Sequence, residues 1–375
     1  MFNKWRELPE ELRAAASVAV EDVLKVEREE RVLLITNPRR EVSLISEALY
    51  DAFLERGARP VLIYQEPKSQ MDFADREVIS ALSASPDVII SISQSKIGKD
   101  RDAILKPYVL DGKSYDHIFD YLRRGTGKAR SFWSPGITVD MFCRTVPIDY
   151  PDLKRNCAAL KALLDGSEEI HLTSSLGTDL TIGIRNRLAM VDDGDFSSGG
   201  KGGNLPAGEV FISPELNTAR GKIVFDGCIA THSRVILIEN PIEVQVEEGF
   251  VTRISGAWEA DLLAETVTLG EKNAFELEKQ GKLAQGSAER YARNSRNLGE
   301  FGIGLNRKAT LIGNMLEDEK VFGTCHIAIG SNYDEDAPAL IHLDGVIKKP
   351  TVTFIREDGT EAELMENGTH KGLLS

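Results

Sequence analysis

Residues 31–65 read RVLLITNPRREVSLISEALYDAFLERGARPVLIYQ. The stretch opens on a continuous apolar run, 31–36, the pattern of a strand buried on both faces. From Ser43 to Arg56, Leu44, Ile45, Ala48, Leu49, Phe53 and Leu54 recur at helical spacing, and Gly57 supplies a stop. RPVLIYQ, 59–65, is a second apolar run. Strand, helix and strand in succession make a βαβ unit, and a helical crossover returns the chain so that the two strands run parallel. The alternation continues with a helix near 72–82, a strand at 87–93 (DVIISIS), a helix over 115–125, a short strand or turn in SFWSPG and a helix over 152–164.

After Asp165-Gly166-Ser167 the texture changes. EIHLTSSLGTDLTIGIRN alternates apolar and polar residues about a Gly-Thr turn, as an antiparallel hairpin does. EVFISPE, GKIVFDGCIA, RVILIENPIEVQVEEG and FVTRISG follow as short strands, Phe275–Arg296 reads as one long charged helix, and GTCHIAIG, ALIHLDGVI and PTVTFIRED close the chain as strands. The expected fold class is α/β: a parallel-sheet α/β domain over 1–165, then a mostly antiparallel α+β domain over 166–375 that carries the catalysis.

Composition narrows the function classes. The 375 residues are 42% hydrophobic, enough for packed cores and too many for a disordered chain. With 45 Lys+Arg against 59 Asp+Glu the net charge is −14, which argues against a nucleic acid partner. No uncharged apolar run approaches the ~18 residues of a membrane span, and the Glu-rich N-terminus has no signal-peptide core. The four cysteines, Cys143, Cys157, Cys228 and Cys325, are dispersed, as reduced thiols of a cytoplasmic protein would be.

Histidine is scarce, six in all, yet His326 in GTCHIAIG and His342 in IHLDG fall on adjacent expected strands. Residues two apart on a strand share a face, so His342 and Asp344 project together, an imidazole and a carboxylate suited to a metal, and His326 would complete a two-His, one-carboxylate set. A buried histidine satisfied by an aspartate fits the same short pattern. Glu209 in NLPAGEVFISPE and Glu300 in NLGEFGIGLN are acids in apolar, Gly-rich settings, where a buried carboxylate needs a cation or a proton. Each also fits a helix cap or an arginine partner. Taken together, Glu209, Glu300, His326, His342 and Asp344 are five ligands for a pair of divalent ions about 3.5–4 Å apart. In LEDEKVFG, 316–323, most acids are expected to face solvent, with Glu319 the candidate general base. Tyr333 in GSNYDED is a candidate oxyanion donor, or a loop aromatic packed on the surface.

Other signals carry less. Gly199-Gly200-Lys201-Gly202-Gly203 lacks the phosphate-loop pattern and reads as a flexible loop. The first strand is followed by ITNPRREVS, without the glycines of a dinucleotide site. His117, His171, His232 and His370 have no partners in sequence and read as structural or exposed.

NLPAGEVFISPE, LGEFGIGLN, EDEKVFGTCHIAIGSNY and IHLDG, in that order, resemble the aminopeptidase T / aminopeptidase S family of metallopeptidases, most strongly over about 200–350. The resemblance implies a metallo-aminopeptidase, a hydrolase with two divalent ions (Zn, Co or Mn), acting on a peptide or small-molecule substrate as a homodimer. It implies metal ligands at Glu209, Glu300, His326, His342 and Asp344, a catalytic tyrosine at Tyr333 and a catalytic acid at Glu319. Three departures stand out: Gly208 where the family has a second acid, an acidic motif farther from His326, and a short segment between His326 and His342. A related branch of the fold opens hydroxylated pyridine rings as a mononuclear non-haem Fe(II) dioxygenase, for which His326, His342 and Asp344 would suffice. That is the alternative function the sequence leaves open.

Overall fold

The computed structural model describes residues 7–69 and 72–372. The chain divides into two compact units. One runs to Lys154 and takes in Asp192–Ala207; the other comprises Arg155–Val191 and the chain from Gly208 onward.

The first unit is built on the βαβ pattern. Its five-stranded sheet has the order Gly202–Asn204, Arg130–Trp133, Val88–Ile92, Arg31–Thr36, Arg59–Tyr64, and every pairing is parallel. Arg31–Thr36 lies inside the sheet, which is why five of its six residues are buried. Leu33, Ile35 and Ile89 form one core with Val78, Leu82, Ile118 and Leu122. The helix Arg40–Glu55 ends where Gly57 takes φ +82°. Gly199–Gly203 is not a loose loop: Gly202–Asn204 forms the edge strand beside Arg130–Trp133. The glycines are needed there because a Cβ at Gly202 would fall 2.6 Å from the Ser131 carbonyl oxygen.

The second unit holds two antiparallel sheets. An eight-stranded sheet contains the hairpin Glu169–Thr173/Asp179–Gly183. A seven-stranded sheet has the central run Cys228–Ala230, His342–Lys348, Thr324–Gly330, Leu298–Gly304, Glu209–Ile212. Phe225, at the end of Arg220–Phe225 in the first of these sheets, packs beneath His342–Lys348 in the second. A Cβ on Gly345 would lie 2.5 Å from the Phe225 ring and 2.6 Å from Ile229. The expected helix over Phe275–Arg296 is two helices instead, Trp258–Lys279 and Ala288–Asn294. Gly281 at φ +69° and Gly286 at φ +83° break it, since both leave the right-handed helical region.

Gly345 lies between strand neighbours that face the opposite way, so filling it presses on the buried Phe225 from below the site. Gly345→Ala is expected to cost about 1–3 kcal/mol of unfolding free energy through overpacking. Denaturant melts of the two proteins measure this, and coincident curves would refute the close contact between the sheets.

Candidate metal centre

Strand pairing brings the polar residues to one face. His326 lies opposite Gly302 and Val346, Ala328 opposite Glu300 and Asp344, and Gly330 opposite His342. Glu209 lies opposite Gly304 on the next pair. The face therefore alternates long polar side chains with Gly302, Gly304, Ala328 and Gly330, which leave room for them. At Gly302 even one methyl group would overlap the His326 ring. The intervening residues Phe301, Ile303, Ile327, Ile329, Leu343 and Ile347 are buried on the other face.

Glu300 joins the two imidazoles. Its Oε1 accepts a hydrogen bond from His326 Nε2 at 3.1 Å, and its Oε2 lies 3.1 Å from His342 Nε2. Asp344 Oδ1 is 3.3 Å from the same His342 nitrogen, and Glu209 Oε2 is 3.5 Å from His326 Nε2. His342 Nδ1 donates to the Ser331 carbonyl at 2.8 Å, which turns Nε2 toward the carboxylates. Two sets result: Glu300, His342 and Asp344, and Glu209, Glu300 and His326, each with one ligand atom per residue within 4.8 Å of the others. Glu300 belongs to both. His326 falls in the second set, apart from His342 and Asp344.

The site fits a cation on two grounds. Among the described residues, Glu209 Oε2, His326 Nδ1 and Asp344 Oδ1 are buried without a hydrogen-bond partner. The carboxylates also demand positive charge, which protons on the imidazoles supply and a cation could supply in their place. Burial works against the ionised Glu300 carboxyl, but hydrogen bonds from His326 and His342 keep its pKa below the ordinary value. Asp344 is lowered to about 2, against burial, chiefly by the charge of His342. Burial would lower both imidazoles, yet Glu300 and its neighbours raise His326 to about 9, and Asp344 and Glu300 hold His342 well above its usual value. Imidazole and carboxylate oxygens together suit a divalent transition metal.

The acidic run is not a solvated face. Glu317 and Asp318 are fully buried. Glu317 Oε1 accepts the Thr310 amide at 2.7 Å, and Asp318 accepts the Ile312 and Gly313 amides at 2.8 and 3.0 Å, so both fold the preceding loop. Glu319 turns to Lys320, whose side chain is fully buried and whose Nζ also lies 2.6 Å from Glu209 Oε1. Burial works against the ionised forms of Glu209 and Glu319, and the Lys320 ammonium opposes it at both. Sequence reasoning passed over Lys320, although a lysine beside Val321-Phe322 at the end of an acidic run is a usable signal. It also passed over Phe211, which shares a strand face with Glu209.

Tyr333 is half exposed and caps this region. Its ring meets Phe211 at 5.0 Å between centroids and His342 edge-on at 5.4 Å. Arg187 pairs with Asp334 and Asp336 at 3.6 and 2.8 Å and so anchors the Tyr333 loop. The remaining histidines serve elsewhere: His117 Nδ1 accepts the Phe119 amide, His171 meets Asp179, His232 meets Thr266, and the His370 ring packs on Phe322.

A family model described as 2,5-dihydroxypyridine 5,6-dioxygenase matches residues 138–281. A curated relative from Pseudomonas putida, a 2,5-dihydroxypyridine 5,6-dioxygenase, is 29% identical over 125 residues. That match covers 33% of this chain and spans about a third, 35%, of the relative. The solved 2,5-dihydroxypyridine dioxygenase of Pseudomonas putida aligns with TM-score 0.70 at 15% identity, over 96% of this chain and 97% of that one. AmpT from Thermus thermophilus aligns with TM-score 0.65 at 17% identity, over 96% and 99%.

The fold is shared with both. At such identities the structural likeness speaks for the fold alone, so the family model and the curated relative are what bear on function. Both name a ring dioxygenase, which overturns the expectation of a metallo-aminopeptidase and with it the hydrolase and protease chemistry. The donor residues could not separate the two, since imidazoles and carboxylates serve hydrolytic and oxidative metals alike. The family match contains Glu209 and Phe211 and ends before Glu300, His326, His342 and Asp344. Among the described residues no helix is long and apolar enough to cross a membrane.

Gly302→Ala tests the crowded face. The added methyl displaces His326 and weakens its hydrogen bond to Glu300, so divalent-metal affinity is expected to fall about 10–100-fold while the protein stays folded. Calorimetric titration with Mn2+ measures it, and wild-type affinity in the folded variant would show that His326 does not support the centre.

Proposed function

We propose that the chain is a ring-opening dioxygenase for a dihydroxylated pyridine or a closely similar hydroxylated heteroaromatic, working with one Fe(II) ion held by Glu300, His342 and Asp344. The observation that carries this reading is the half-exposed Tyr333 ring, set beside both Phe211 and His342 at the edge of that donor set. It offers a flat aromatic surface to a flat ring next to a metal position. The curated relative, a 2,5-dihydroxypyridine 5,6-dioxygenase, agrees with that chemistry.

The ion, when bound, supplies the redox-active centre that lets O2 react with an electron-rich ring. The conversion is balanced without a further reductant: one ring C–C bond breaks, and both atoms of O2 remain in the opened product. The chain's own residues orient and exclude. His342 and Asp344, two apart on one strand, and Glu300 across the sheet present donors from one face. His326, hydrogen-bonded to Glu300, fixes which way that carboxylate turns. Burial and the charges of Glu300 and Asp344 raise the Tyr333 pKa, so its hydroxyl stays protonated and can donate to a negatively charged substrate oxygen. Arg187, through Asp334 and Asp336, keeps the Tyr333 loop in place.

The test is anaerobic loading with Fe(II), then addition of 2,5-dihydroxypyridine and 18O2. Expected are loss of ring absorbance, one O2 consumed per ring and both labelled atoms in the product. His342→Ala is expected to lose iron and turnover together. Tyr333→Phe is expected to keep iron and slow about 10–100-fold, as loss of a hydrogen bond to a charged group does. Iron-loaded protein that consumes no O2 with this ring or its hydroxylated analogues would refute the reading.

A further inference from the structure

Lys320 has no part in the chemistry described so far, yet its side chain is fully buried beside the centre. Its Nζ lies 2.6 Å from Glu209 Oε1 and also pairs with Glu319. A buried ammonium is tolerated only where carboxylates surround it, and buried carboxylates only where a cation does. The backbone is built to bring it there. Gly304, opposite Glu209 in the sheet, has the main chain of Lys320 and Val321 against it where a side chain would stand. The Asn306 amide donates to the Lys320 carbonyl at 2.8 Å. Glu317 and Asp318 hold the preceding turn through the amides of Thr310, Ile312 and Gly313. Full burial between two carboxylates leaves this amine out of reach of a substrate, so neither substrate binding nor covalent catalysis accounts for it.

Its position does account for it. Glu209, Glu300 and His326 form a second potential ligand set, sharing Glu300 with the first. Lys320 sits on one oxygen of Glu209, while the other has no hydrogen-bond partner among the described residues. We propose that the Lys320 ammonium takes the place of a second metal ion at the Glu209 set, so that a ligand array able to hold a pair of ions holds one. The proposal rests on reading Glu300, His342 and Asp344 as the metal set. It gives Lys320 a positioning and selecting role: it neutralises Glu209 and Glu319 and repels a second cation from the shared Glu300.

Metal-stripped full-length protein is equilibrated with excess Mn2+, and bound metal per chain is counted by elemental analysis alongside the Mn2+ EPR spectrum. Wild type is expected to bind one ion per chain with an uncoupled spectrum, and Lys320→Arg, which keeps the charge, the same. Lys320→Ala is expected to bind two ions with spin coupling between them, and adding Glu209→Gln to it should return the count to one. Two ions in wild type would overturn the proposal, as would a folded Lys320→Ala that still binds one. If Lys320→Ala is unfolded without metal, refolding in Mn2+ decides: recovery with two ions supports the proposal, and no recovery overturns it. The count involves no substrate. A failed ring-opening assay together with a one-to-two change would therefore remove the dioxygenase reading and leave the assignment of Lys320 standing.

Discussion

The centre depends on one buried carboxylate. Glu300 is 3% exposed and has His326 on one oxygen and His342 on the other, each at 3.1 Å. Such a group is stable inside a protein only when both oxygens are engaged by positive or donating partners. That requirement fixes the rest. The three strands carrying Glu300, His326 and His342 must be adjacent and in register, and the residues between the donors must be small. Gly302, Gly304, Ala328 and Gly330 meet that condition on the site face. On the reverse face Gly345 lets Phe225 close against the sheet, so the strands are braced from below by packing and from above by charge.

Much of this was legible in the sequence because it follows from side-chain period. The continuous apolar runs at 31–36 and 87–93 imply a parallel sheet buried on both sides, and the pairings are parallel. The spacing of His342 and Asp344 puts them on one face, and they meet within 3.3 Å. Glu300 among glycines reads as a carboxylate that the backbone closes upon, and it is buried. Other features had no periodic signature. Gly202 and Gly203 join the sheet through backbone groups, so Gly199–Gly203 carries no side-chain pattern to betray it. A charged stretch masks the left-handed glycines Gly281 and Gly286 that split the helix. Lys320 is hidden by its neighbours, since an acidic run ordinarily faces water, whereas here Glu317 and Asp318 are spent on loop amides.

Function class was the least legible layer, for a chemical reason. A set of glutamates, histidines and an aspartate is compatible with hydrolytic and with oxidative metal chemistry. The proposed oxidative reading draws on what lies around the donors. The Tyr333 and Phe211 rings give a flat aromatic approach, and a Lys320 ammonium in place of a second ion would leave one set of ligands for a single ion.

The central claim is the location of that ion. Crystals of the protein loaded anaerobically with Fe(II) and measured at the iron absorption edge test it most directly. One anomalous peak is expected within bonding distance of Glu300, His342 and Asp344, with Lys320 still on Glu209. A peak among Glu209, Glu300 and His326, or two peaks bridged by Glu300, would contradict it.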